Sequence, residues 1–238
     1  MSKRNLVRLM ATILTLVLFL LPQSVIQALP APEQTSLSAL AASQNTLSNA
    51  GAVQILRVPA DVGDLQSAID QVGDGGIIEL AGGTYASPAG GFQVHNLRKG
   101  FTIRASEGAT VVIDGGGGRD LFRIQNTAVS EGGPITFERI IFANGYTTTE
   151  GTAGGLTLYD AEATFIDCVF RDNFANVNTT VGGAIYVADN STVFFFNSTW
   201  ENNSSRVGGA GLGIRTDSVV YIHNSRFVNN RANPQNHI

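Results

Sequence analysis

Apolar residues in the second half of the chain recur two positions apart, in short bursts that themselves return every 27 to 30 residues. Ala163 to Asn173 (ATFIDCVFRDN), Val193 to Asn203 (VFFFNSTWENN) and Val220 to Asn230 (VYIHNSRFVNN) align without gaps, and Ile135 to Gly145 (ITFERIIFANG) fits the same frame with Gly145 in place of the last Asn. One column holds Ile135, Ala163, Val193 and Val220; a second Phe137, Phe165, Phe195 and Ile222; a third Phe142, Phe170, Trp200 and Phe227. Alternation of this kind predicts strands with one buried face. The polar column Arg139, Asp167, Asn197 and Asn224 between them predicts a bend, and Asn173, Asn203 and Asn230 close each unit. Gly154-Gly155, Gly182-Gly183 and Gly208-Gly209 open the strand that follows.

Units made of strands and turns without an intervening helix can bury such columns only by stacking coil on coil. The prediction is an all-β parallel β-helix, with asparagine amides hydrogen-bonded in ladders along its axis. Upstream, Asp64 to Val72 (DLQSAIDQV) places Leu65, Ala68, Ile69 and Val72 on one helical face, with Asp64 as N-cap and Gly73 as the stop. A short helix there would cover the first coil and protect its open strand edges. Ile77 to Leu80, Phe101 to Arg104 and Val111 to Asp114 are further strands. Gly115 to Gly118 reads as a turn, since the lysine and hydroxyl residue of a nucleotide-binding loop are missing.

The chain begins differently. Lys3, Arg4 and Arg8 precede an apolar run from Leu9 to Leu21, shorter than the roughly 20 residues a membrane-spanning helix needs, so residues 1–28 read as a signal peptide cleaved near Ala28. Residues 29–52, rich in Ser, Ala, Asn and Pro, read as a flexible linker, and 53–238 as the β-helix domain, truncated at its C-terminus if the parent protein is longer. Hydrophobic residues make up 43% of the chain, enough for a sizeable core. The net charge is −4, and it falls to about −7 once the three cations and no anions of residues 1–28 are removed. That balance argues against a nucleic-acid partner. Cys168 stands alone, so packing and backbone hydrogen bonds must stabilise the fold without a disulfide.

Val58 to Tyr85 (VPADVGDLQSAIDQVGDGGIIELAGGTY) resembles the opening of pectin-lyase-like right-handed β-helix proteins. The segments GGAIYV (Gly182 to Val187), FRDN (Phe170 to Asn173) and FVNN (Phe227 to Asn230) are similar to the GGA and FxxN repeats of chlamydial polymorphic outer membrane proteins. The resemblance spans roughly residues 55 to 238 and implies a right-handed parallel β-helix with a short N-terminal capping helix. Trp200 departs from the repeat's Phe, and no C-terminal membrane barrel is present in this sequence.

Polysaccharide-cleaving members of that group use acidic residues for calcium binding or acid/base work. The motif sets of polygalacturonases and pectate lyases are not found here. Asp160, Glu162, Asp189 and Asp217 do recur between successive strands, so stacking would bring them into an acidic column, with Arg215 the nearest cation in sequence and calcium at Asp189 and Asp217 as the metal reading. The competing explanation is that Asp and Asn favour turns. Phe194, Phe196 and Tyr221 have the parity of an exposed face, where aromatic rings can stack on sugars or pack under a loop. His95, His223 and Cys168 lack the partners of a catalytic triad and read as ordinary strand or core residues. No cofactor other than calcium is suggested.

These features favour an exported, non-catalytic module at the cell surface, in the outer membrane or in the medium, that adheres to polysaccharide or another surface ligand. Two alternatives stand beside it: a polysaccharide lyase or glycoside hydrolase, and a structural spacer of a longer surface protein. Membrane association would come only from the signal peptide or an anchor outside this sequence. An uncapped end further predicts end-to-end self-association.

Overall fold

The computed structural model describes residues 53–95, 99–125, 134–179 and 181–232. The expected signal peptide and linker lie outside the described residues. From Val53 the chain winds as a right-handed parallel β-helix of about five turns, with one helix near its start. Three long parallel sheets run along the axis. Sheet I contains seven strands: Ile55–Val58, Gly76–Leu80, Phe101–Ala105, Ile135–Glu138, Glu162–Ile166, Thr192–Phe196 and Val219–His223. Sheet II contains six, from Gly83–Ala86 and Val111–Asp114 through Ile140–Ala143, Val169–Arg171 and Thr199–Glu201 to Arg226–Val228. Sheet III contains five: Phe92–His95, Phe122–Gln125, Leu156–Tyr159, Ile185–Ala188 and Leu212–Ile214.

The register is the one read from the repeat. Phe137, Phe165, Phe195 and Ile222 pair in succession across sheet I, and Phe142, Phe170, Trp200 and Phe227 across sheet II. Parallel strands in register lie about 4.8 Å apart, so like side chains must pack face on face. The rings do so: Phe137, Phe165 and Phe195 are each 5.0 Å from the next, and Phe170, Trp200 and Phe227 follow at 5.1 and 4.4 Å. The two stacks meet edge to face inside the coil, as where Phe165 abuts Phe170 at 5.5 Å. Leu156, Ile185 and Leu212, then Leu158, Val187 and Ile214, line the third wall.

Corners between strands need backbone that ordinary L residues resist. Arg139, Asp167, Asn197 and Asn224 all have φ between 48 and 56°, the left-handed region in which Asn and Asp are least penalised. Three residues beyond Phe170, Trp200 and Phe227 stand Asn173, Asn203 and Asn230, whose side chains form a ladder between coils, while Gly145 takes that place after Phe142. Asn173 and Asn203 are fully buried, and Nδ2 of Asn173 donates to Oδ1 of Asn203 at 2.9 Å, as Nδ2 of Asn203 does to Asn230. Each amide also serves the main chain. Asn203 donates to the Phe170 carbonyl at 2.8 Å and accepts from the Asn173 N–H at 3.0 Å, groups that the corner would otherwise bury unpaired. The glycine pairs stack one step out of phase with their order in the sequence. Gly182 pairs with Gly209, whereas the Gly154 N–H donates to Gly183. A Cβ on Gly183 would fall 2.1 Å from the Ala210 carbonyl oxygen, so the approach of successive coils excludes any side chain.

The helix Leu65–Gln71 starts at Asp64, whose carboxylate accepts from the Ser67 N–H and hydroxyl. Those two bonds hold Asp64 below the usual carboxylate pKa. Leu65, Ala68 and Ile69 are buried on the first coil. Gln66 reaches the outer strand of sheet III, donating to the Gln93 carbonyl and accepting the Gln93 N–H at 2.8 Å, the two bonds a further strand would make there. Gly73 does not end the helix by a left-handed turn. The chain leaves at Val72 in an extended conformation, the Gly73 N–H is taken by Oε1 of Gln54, and Lys99 from the next coil donates to the helix-end carbonyls of Ile69 and Val72.

The buried asparagines generate a test. Asn203→Leu keeps the volume but strands the Phe170 carbonyl and the Asn173 N–H. At roughly 1–3 kcal/mol for each orphaned group, urea unfolding should show a loss of about 3 kcal/mol. A loss below about 1 kcal/mol would show that the amide is replaceable.

Candidate functional site

The outer face of sheet I changes character along the axis. One outward row, set by strand register, runs Arg57, Glu79, Arg104, Glu138, Ile166, Phe196 and His223. Its first members form a charge ladder, with Arg104 2.9 Å and Arg57 3.6 Å from Glu79. Its last members are apolar or aromatic. The neighbouring row runs Ile77, Thr102, Thr136, Thr164, Phe194 and Tyr221. Phe194 and Tyr221 stack nearly parallel, 7° apart with centroids at 4.9 Å, and Phe196 lies 6.2 Å from His223. Tyr221 is 55% exposed and Phe196 37%, so these rings form a platform on the surface. Strand alternation forces this arrangement, because Val193, Phe195 and their partners take the inward positions.

The acidic residues are brought together only in part. Tyr159 pairs with Ala188, which sets Asp160 beside Asp189, and the Asp160 N–H donates to the Asp189 carbonyl at 2.9 Å. Counting on from the pair Val187 and Ile214 sets Thr216, not Asp217, beside Asp189; counting back from the pair Thr192 and Val219 sets Asp217 beside Asn190. Glu162 sits elsewhere, on the outer face of sheet I in register with Thr192. A single acidic column is therefore not formed, because the corner gains one residue between the coils of Asp160 and Asp189. Asp160, Asp189 and Asp217 have φ of 45, 55 and 51°, so each occupies a left-handed corner. Among the described residues, no group of three or more His, Cys, Asp or Glu is placed to hold a metal ion. Arg215 lies in the same corner region, its N–H donating to the Val187 carbonyl at 2.8 Å.

Tyr159, on the outer face of sheet III, donates its hydroxyl to the Gly151 carbonyl. Burial, reinforced by Tyr186 and Asp189, pushes its phenol above the ordinary value. His95 occupies the same face, and burial with Arg123 nearby lowers its pKa. Cys168 is fully buried in the column of Ile140, Ser198 and Ser225, where desolvation pushes the thiol to about 12 and removes the thiolate needed for nucleophilic chemistry. Two cavities of about 380 Å³ each lie near the first coils, one lined by Val58, Asp64, Tyr85 and Phe92, the other by Thr84, Asp114 and Arg119. Neither is lined by the acids or aromatics singled out above. Among the described residues, no helix is long and apolar enough to cross a membrane.

No family model, curated protein or solved structure matches this chain.

The corner geometry predicts how substitutions behave. Thr216 holds φ of 46° where the preceding coils have Asp, although a β-branched residue is strained there by about 1–2 kcal/mol. Thr216→Asn should stabilise the protein by about 1 kcal/mol, while Asp189→Ala should destabilise it by a similar amount. Loss of stability in Thr216→Asn on thermal unfolding would contradict this assignment.

Proposed function

We propose that this chain is an exported β-helix module, non-catalytic, that binds polysaccharide at a cell surface through the aromatic end of sheet I. Val58 to Tyr85 supports placing it with pectin-lyase-like proteins, and the GGAI and FxxN segments with polymorphic outer membrane protein-type repeats. Lys3, Arg4, Arg8 and the apolar run to Leu21 support export. The observation that carries the reading is the exposed stack of Phe194 and Tyr221 beside Phe196, on a face whose earlier coils carry threonine and paired charges.

A flat sheet holds the rings without any cost of ordering a loop. Sugar rings offer an apolar C–H face that packs on such a surface, while their hydroxyls remain free to bond to flanking polar groups. Thr164 and Thr192, outward-facing on the adjoining positions, supply hydroxyls, and His223 supplies a ring nitrogen. A row of sites along parallel strands suits an extended polymer better than a small solute.

Affinity electrophoresis against neutral and acidic polysaccharides tests the proposal. At least one polymer should retard the protein, and Tyr221→Ala and Phe196→Ala should each weaken binding about tenfold, or about 1.4 kcal/mol. Thermal stability should stay within a few degrees of the parent, since both side chains are surface groups. Undiminished binding in both variants would refute the aromatic platform. Release of unsaturated uronates or new reducing ends, abolished by Asp189→Ala, would replace it with the lyase or hydrolase reading.

A further inference from the structure

The two ends of the stack are built differently. At the first coil the helix covers the interior and Gln66 satisfies the outer strand of sheet III. At the last coil the described residues include no equivalent cover. Ile214, Ile222 and Phe227 belong to the inward columns, yet they are 48%, 44% and 50% exposed. Phe227 lies flat on Trp200, 3° from parallel, which leaves its opposite face uncovered.

Side-chain ladders reach the same end, and they have a direction. The Asn173 N–H donates to Oδ1 of Asn203, and the Asn203 N–H to Oδ1 of Asn230. The Cys168 N–H donates to Ser198 Oγ and the Ser198 N–H to Ser225 Oγ; the Ala161 N–H donates to Ser191 and the Ser191 N–H to Ser218. In every case the main-chain donor belongs to one coil and the side-chain acceptor to the next. The last coil thus calls for oxygen acceptors beside Asn230, Ser225 and Ser218. Two such ends face to face would set donor against donor. The opposite end of a second copy is occupied by its own helix.

We propose that the face formed by Ile214, Ile222, Phe227 and Asn230 binds one further parallel coil of this same repeat, supplied by a polypeptide segment of matching pattern. That segment carries a Ser to lie beside Ser218, an apolar residue four positions later to lie on Ile222, a Ser three after that, an aromatic two further on and an Asn three beyond the aromatic. Specificity comes from register: a slip by one residue removes the ring from Phe227 and the oxygens from all three ladders together. The helix-covered first coil leaves one end for growth, and the polarity of these hydrogen bonds fixes what that face accepts. Isologous end-to-end pairing of two copies is not the intended contact.

The test adds a peptide with the sequence of Arg206 to Ala232 to the full chain and follows binding by calorimetry and by thermal unfolding. The expected result is saturable one-to-one binding and a rise in Tm. Binding should weaken at least tenfold when the peptide carries Phe227→Ser with Asn230→Ala, or when the protein carries Phe227→Ser at its half-exposed ring. Absence of binding, or equal binding by the altered peptide, would overturn the proposal. A concentration-dependent dimer of the protein alone, dispersed by Phe227→Ser in sedimentation, would also overturn it by assigning the face to a second copy.

Discussion

A chain that coils on itself at a spacing of about 4.8 Å buries main-chain groups at every corner, and the pairing of those groups is the constraint on which this fold depends. Strand residues meet it automatically through the sheets. Corner residues cannot, and inward-turned asparagines meet it instead. The Asn203 side chain bonds to two main-chain groups of the preceding unit, the Phe170 carbonyl and the Asn173 N–H, and to asparagines in the coils on either side. At two other corners serine oxygens accept the main-chain N–H of the preceding coil, while the Ser191 and Ser198 hydroxyls donate to carbonyls of their own coil. Once a corner is solved in one coil, its neighbour must repeat the solution, because each coil's corner N–H uses the next coil's side-chain oxygen as its partner. The repeat in the sequence is the result.

The same logic explains what was legible before the structure. In-register stacking places like on like, so the aromatic columns, the bends at Arg139, Asp167, Asn197 and Asn224, and the asparagine ladder could be read from spacing alone. The strands Ile55–Val58, Gly83–Ala86, Phe92–His95 and Phe122–Gln125 were not anticipated. They are four residues long, and they precede the region where the columns recur. Lys99 and Gln66 were also invisible as capping groups, because their partners are carbonyls and amides brought close only by winding.

Among the sites, spacing was a poorer guide. Asp160, Asp189 and Asp217 recur because corners need a left-handed backbone, and one added residue between coils was enough to take Asp217 out of line. A single-residue change in corner length cannot be located by counting from one side. The outward aromatics were easier to find, since strand parity alone puts Phe194, Phe196 and Tyr221 opposite the buried columns. Their contrast with the charged row of Arg57, Glu79 and Arg104 became evident only when register joined the early coils to the late ones.

Hydrogen exchange at the asparagine side chains measures the controlling constraint directly. In two-dimensional NMR spectra of the protein transferred to D2O, the Nδ2 protons of Asn173 and Asn203 should persist on the timescale of the slowest backbone amides, while those of Asn190 on the surface vanish at once. Exchange of Asn173 and Asn203 as rapid as that of Asn190 would contradict a buried ladder and, with it, the account of why the coils repeat.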